Sequence, residues 1–342
     1  MLFIDTKFYA LFSILFGIGF FLQFNKFRED QKEFILTYRR RLGFLMLFGA
    51  IHAFFWSGDI LFIYGLVGFV FILFRNFSKK TLLLLSIFFY YAWLIKDIVV
   101  LYYFPQFISH TTPTAYKTYA DISPAEIMQY FQQGTFLEVL HTNWHNLFWR
   151  YIDLLPAGRL SKVLALFLFG YYLMSIDYFR NTAMSLRLTI IFWTGGLIIS
   201  VTAGIIGGHM AQFASEWADI EYKILAVTGQ ILLALAYINT LTILYKKDFF
   251  KKLLYPLTFV GRMSFSNYIM HTVFGYLIFY PFFGNLFGKL SLLEIIAVAF
   301  FLYITQIFIS WLWLKYFRFG PLEWVWRCLT YKKIFPIRTN KA

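Results

Sequence analysis

The chain has 342 residues, 60% of them hydrophobic and only 14% charged, with 31 Lys and Arg against 17 Asp and Glu. An ordinary soluble domain is about 45–50% apolar and about 25% charged, so this composition, with a mean hydropathy of +0.64, is that of a polytopic membrane protein. The single cysteine, Cys328, excludes an internal disulfide, no Cys/His spacing suits a metal, and the basic residues lie in short runs between apolar segments, which argues for membrane orientation and against nucleic acid.

Apolar runs of about 20 residues, the length that crosses a bilayer, fall near 8–24, 40–56, 59–75, 82–104, 160–177, 187–207, 222–245, 263–283 and 291–315. The pattern predicts an all-α fold, a single membrane domain over 1–342 built as a bundle of about nine transmembrane helices. The second run is short unless Arg39, Arg40 and Arg41 snorkel to the headgroups, and it pairs with the third in a hairpin closed by Ser57 and Gly58. Alternate connections together with the tail hold 23 of the 31 Lys and Arg. That side is expected to face the cytoplasm, which puts the C-terminal tail 316–342 inside as an interfacial segment.

The long outer connection, 105–159, carries its own helical signals. SPAEIMQYFQQG offers Ser123 as N-cap, Pro124 at the first helical position, an early Glu126 and a stop at Gly134. From Thr135 to Leu155, Phe136, Leu140, Trp144, Leu147 and Tyr151 recur at helical spacing, so a second, amphipathic helix is expected on or re-entering the outer surface, or as a lid over the bundle. His110, His141 and His145 belong to this connection, His209 and His52 to the outer ends of the sixth and second spans, and His271 to the eighth; none falls in a cytoplasmic loop.

Four groups are candidate site residues. His52 and Asp59 flank the WSGD turn: an imidazole titrating near neutrality suits a general base, and a carboxylate across the turn can orient it. The alternative is a hydrogen bond from His52 to a neighbouring helix, with Asp59 capping the third span. Arg41, innermost of the three arginines, can grip phosphates of a donor, or merely anchor the helix. Ser264, Asn267 and His271, at spacings of three and four, share one face of the eighth span and point to a wet cavity or to interhelical bonding. Trp56 in the turn and His209 complete the candidate substrate-binding set. In the ending FGPLEWVWRCLTYKK, Glu323 and Arg327 stand at i, i+4 and suit a structural ion pair. No P-loop, dinucleotide fingerprint, nucleophile elbow or HExxH occurs.

The stretches RRRLGFLMLFGAIHAFFWSGDILFIYGLVGFVFILFRNFSKK, VGRMSFSNYIMH and FRFGPLEWVWRCLTY together resemble the DUF418 family of bacterial inner-membrane proteins, and the resemblance runs over nearly the whole chain. The family looks related to the transmembrane acyltransferases, so the resemblance implies transfer of an acyl group from a cytoplasmic donor, acyl-coenzyme A for one, to an extracytoplasmic acceptor, with membrane lipids as the surroundings. A small-solute transporter and a non-catalytic membrane scaffold are the alternatives, and the oligomeric state is open. Two departures stand out. Family members usually begin with a further span bearing an Arg-Gly motif, whereas this chain opens on MLFIDTKFYALFSILFGIGF, which resembles the segment after that span. His271 stands where many members carry glutamine, which weakens it as a catalytic candidate.

Overall fold

The structure, a computed structural model, describes residues 7–27, 30–103, 123–154, 158–181, 185–210 and 216–339. In chain order the helices are α1 (Lys7–Lys26), α2 (Gln31–Phe55), α3 (Leu61–Phe71, continued by a 3-10 turn at Ile72–Phe74), α4 (Lys79–Tyr103), α5 (Pro124–Gln133) and α6 (Phe136–Leu154). There follow α7 (Arg159–Ser175), α8 (Tyr178–Asn181), α9 (Leu186–Met210), α10 (Glu216–Tyr245), α11 (Asp248–Leu254), α12 (Leu257–Arg262), α13 (Ser264–Phe279), α14 (Leu292–Tyr316) and α15 (Pro321–Tyr331). The all-α expectation holds: among the described residues the one β feature is an isolated bridge between Phe317 and Arg338.

Segments of α1, α4, α9, α10 and α14 are long and apolar enough to cross a membrane, and at about 1.5 Å per residue the 25-residue helices among them reach about 37 Å. The other four expected spans take different forms. Helix α2 runs back past the arginines to Gln31, so Arg39, Arg40 and Arg41 sit within a 25-residue helix and not at its mouth. Helices α3, α7 and α13 are shorter, at 11, 17 and 16 residues.

The chain forms two compact units. The first comprises Met1–Ile35, Val67–Thr112 and Leu154–Lys251. Its core packs Ala10 and Ile14 of α1 with Ala165 and Leu166 of α7 and Ala234 of α10, all essentially inaccessible. Polar groups inside it are paired: the Tyr90 hydroxyl donates to the Val227 carbonyl at 2.9 Å, and the Tyr178 hydroxyl to Asn239 Oδ1 at 2.8 Å.

The second unit comprises Leu36–Leu66, Pro113–Asp153 and Lys252–Ala342. Its helix α14 is inside out by soluble standards. Phe300, Phe301 and Ile304 are more than 60% exposed while Gln306 and Ser310 are fully buried. Gln306 Nε2 donates to the Asn267 carbonyl at 3.0 Å, and Asn267 Nδ2 donates to Ser310 Oγ at 2.9 Å. An apolar surface wrapped around a polar seam is stable only where the surroundings are hydrocarbon, so the fold is of membrane type. Between α4 and α7 the helix start and stop read from the sequence are present: Ser123 and Glu126 form a reciprocal capping box, Pro124 is the first helical residue, and Gly134 closes α5. Residues 104–122, which include His110, lie outside the described residues.

Candidate functional site

The site is built on the α2–α3 hairpin. Helix α2 ends because Ser57 and Gly58 break it, and the turn is tied by Trp56 N–H donating to the His52 carbonyl (2.9 Å) and Asp59 N–H to the Trp56 carbonyl (3.1 Å). Asp59 then serves two ends at once. Its Oδ1 accepts the Phe62 N–H at 2.9 Å and caps α3, while its Oδ2 lies 2.7 Å from His52 Nδ1. Both side chains are buried, His52 to 5% and Asp59 to 1% exposure.

A carboxylate only accepts hydrogen bonds, so Nδ1 of His52 carries a proton, and in the neutral ring the lone pair is then on Nε2. Nε2 faces Thr272 of α13, whose Oγ1 is 2.8 Å away and donates to it when the ring is neutral. Carboxylate, imidazole and hydroxyl therefore stand in one line, Asp59–His52–Thr272, with the geometry by which an imidazole draws a proton off a hydroxyl. Tyr268, one turn before Thr272, meets the imidazole edge-to-face with ring centres 5.0 Å apart, donates from its hydroxyl to Asp59 Oδ2 at 3.3 Å and accepts the Ile60 N–H.

Helix α6 contributes Asn143 and Arg150 to the same turn. Asn143 Nδ2 donates to the Phe55 carbonyl and to the Tyr276 hydroxyl, both at 2.9 Å, and the Tyr276 hydroxyl itself donates to the Phe55 carbonyl at 2.8 Å. The last carbonyl of α2, that of Phe55, is thus satisfied by side chains. Arg150 donates to the Gly58 carbonyl at 3.2 Å. Burial, together with the negative charge of Asp59, raises the Tyr151 phenol above its ordinary value, so the group stays neutral. No cluster of three or more His, Cys, Asp or Glu placed to hold a metal occurs among the described residues.

Compared with known proteins, residues 173–333 match the family model described as "Protein of unknown function (DUF418)". The chain is 30% identical to the Uncharacterized protein YxaH of Bacillus subtilis (strain 168), over 98% of this chain and 82% of that one. The chain belongs to the DUF418 family. Two further relatives of similar extent are the Uncharacterized 39.9 kDa protein in amylase 3'region of Bacillus acidopullulyticus, 25% identical over 99% of this chain and 84% of that one, and the Uncharacterized protein YeiB of Escherichia coli (strain K12), 27% identical over 97% and 83%. No solved structure matches the chain.

Within this DUF418 fold the candidate residues separate. His52 and Asp59 are in contact. Trp56 is 47% exposed beside them. Arg41 lies apart, its guanidinium 4.3 Å above the Trp326 ring centre and its carbonyl accepting the Trp326 indole N–H at 2.9 Å. Of the stripe expected on α13, only Asn267 is buried; Ser264 and His271 are exposed. One residue is about 100° of helix rotation, and Thr272, the neighbour of His271, is the one turned to His52. The side chain of His209 lies outside the described ones. Sequence reasoning missed Tyr268, Thr272 and Tyr276, whose spacing of four repeats twice and marks one helix face. It also mispaired Glu323, which accepts the Phe265 and Ser266 N–H groups and the Ser266 hydroxyl, while Arg327 stacks on Phe319 and Phe335.

Proposed function

We propose that this chain is an acyltransferase of the bacterial cytoplasmic membrane that moves an acyl group from a cytoplasmic thioester donor, such as acyl-coenzyme A, to an extracytoplasmic acceptor. The observation that carries the reading is the buried Asp59–His52 pair with the basic Nε2 turned to a hydroxyl 2.8 Å away. In acyl transfer the attacking hydroxyl must lose a proton as its oxygen meets the carbonyl carbon, and the leaving thiolate must gain one. His52 Nε2 serves both steps, and Asp59 holds the tautomer and stabilises the imidazolium that forms between them.

Supporting the orientation, the connections on one side of the spans together with the tail hold 23 of 31 Lys and Arg, which makes that side, the C-terminal tail included, cytoplasmic. Arg39, Arg40 and Arg41 belong to that basic set and receive the donor's phosphates. Stacking on Trp326 fixes the plane of the Arg41 guanidinium, and a planar guanidinium is the group that suits bidentate recognition of a phosphate. The bacterial origin of the related chains supports the location.

The test is release of free thiol from acyl-coenzyme A by the purified full chain in nanodiscs, with a bacterial envelope extract as the acceptor source. Acceptor-stimulated release that falls at least about a hundredfold in His52→Ala is expected. If the wild-type chain neither binds nor cleaves acetyl-, octanoyl- or palmitoyl-coenzyme A, the reading is overturned.

A further inference from the structure

We propose that Thr272 is the nucleophile that carries the acyl group between donor and acceptor, a step that rests on the acyl-transfer reading above. The observation is what its hydroxyl does. A threonine in a helix ordinarily donates to the carbonyl four residues back, and Thr142, Thr189, Thr194, Thr228, Thr242 and Thr305 all do so here. Thr272 does not. Its hydroxyl lies 2.8 Å from His52 Nε2, on a helix more than 200 residues away in sequence, and makes no other hydrogen bond among the described residues. The imidazole that receives this bond is itself fixed by a buried carboxylate at 2.7 Å, and a hydroxyl so placed is the activated one.

The two half-reactions balance without a further reagent. In the first, the Thr272 Oγ1–H proton passes to His52 Nε2 while Oγ1 bonds to the thioester carbonyl carbon; the C–S bond breaks and the sulfur takes the proton from the imidazolium, giving free thiol and an acyl-threonine ester. In the second, an acceptor hydroxyl gives its proton to Nε2 and attacks the ester carbonyl, the C–Oγ1 bond breaks, and Oγ1 recovers the proton. Splitting the transfer in this way allows donor and acceptor to be handled one after the other, so neither must meet the other across the bilayer.

The experiment is mass spectrometry of the full chain in nanodiscs after incubation with acetyl-, octanoyl- or palmitoyl-coenzyme A without acceptor, followed by peptide mapping. Wild type is expected to gain one acyl mass on the peptide holding Thr272, stable to neutral hydroxylamine and removed by alkali, as an oxygen ester is. An acyl group on His52 or on Cys328 would be stripped by hydroxylamine. Thr272→Val, which keeps the shape, should lose the adduct. Thr272→Ser should restore it, and His52→Ala should slow its formation at least tenfold. Wild-type rates of acceptor-dependent thiol release in Thr272→Val, or a hydroxylamine-labile adduct in the wild type, would overturn the proposal while leaving acyl transfer intact. No cleavage of any thioester by the wild type overturns both.

Discussion

Gly49 of α2 stands against the Phe62 backbone of α3 so closely that a Cβ on it would collide with the Phe62 N and Cα atoms and sit 2.9 Å from Asp59 Oδ1. The hairpin that brings His52 to Asp59 therefore depends on a missing side chain. Gly43, two turns earlier on the same helix, has open space where its Cβ would go. Gly49→Ala is expected to destabilise the protein by about 1–3 kcal/mol through overpacking against backbone that cannot give way. Gly43→Ala should be neutral or stabilising by up to about 1 kcal/mol from helix propensity alone. Thermal unfolding of the two variants in one detergent separates them, and equal midpoints would refute the argument.

Asp59 has two duties, and substitutions can divide them. Asn keeps an oxygen for the Phe62 N–H and so preserves the cap on α3, but it presents either a neutral acceptor or a donor to His52 Nδ1. Asp59→Asn is expected to fold with a loss of about 1–3 kcal/mol, and to lower thioester cleavage about a thousandfold by no longer holding the imidazole tautomer. Asp59→Ala should lose the cap as well and unfold at a lower temperature. An Asp59→Asn variant that cleaves donor like the wild type would leave Asp59 a capping residue only.

Legibility in the sequence tracks the range of each interaction. His52 and Asp59 were legible because both flank one Ser-Gly break in an apolar chain, and an ionisable pair at such a break has few reasons to exist. The α5 cap was legible because Ser, Pro and Glu act within a single turn. Thr272 was not, since nothing local says that its hydroxyl forgoes its own helix for a histidine on another. Its stripe with Tyr268 and Tyr276 was readable, yet stronger polar neighbours drew attention to His271, about 100° away on the same helix.

The Glu323 and Arg327 pairing fails for a related reason. An exposed i, i+4 pair is worth about 0.2–0.5 kcal/mol, whereas the carboxylate of Glu323 meets two N–H groups at the start of α13, Phe265 at 2.7 Å and Ser266 at 3.0 Å, and the Ser266 hydroxyl besides. Hydrogen bonds to a charged group contribute about 1.5–3 kcal/mol, so the interhelical option wins. Glu323→Ala should therefore cost clearly more stability than Arg327→Ala, and the double variant should be additive. Denaturant or thermal unfolding of the three variants gives the answer; strong coupling between the two sites would restore the ion pair.

Helices α5 and α6 supply a pH test. Backbone and hydroxyl hydrogen bonds from Ser123 hold the Glu126 carboxyl below its ordinary value of 4.5, and those from Thr135 do the same for Glu138. A carboxyl whose folded value is depressed adds stability that is fully present above the unfolded value and disappears as pH falls through the folded one. Amide exchange in α5 and in the first turn of α6 is expected to be flat from neutral pH down to about 5, after correction for intrinsic rates, and to accelerate below the ordinary glutamate value. Glu126→Gln should abolish that dependence in α5 and leave it in α6.

Arg41 offers a last separation, between anchoring and donor recognition. Its guanidinium is stacked on Trp326, and the same indole donates to its backbone carbonyl, so the ring fixes both ends of the residue. Trp326→Phe keeps a ring for the cation and removes the donor. If Arg41 grips the phosphates of an acyl-coenzyme A, Arg41→Lys should weaken donor binding at least tenfold, because an ammonium lacks the planar fork. Trp326→Phe should weaken it less, since the stack survives. Equilibrium binding of palmitoyl-coenzyme A in nanodiscs measures both, with His52→Ala as a variant expected to bind like the wild type. Unchanged binding in Arg41→Lys would reduce Arg41 to an anchor of α2 and move the donor site elsewhere.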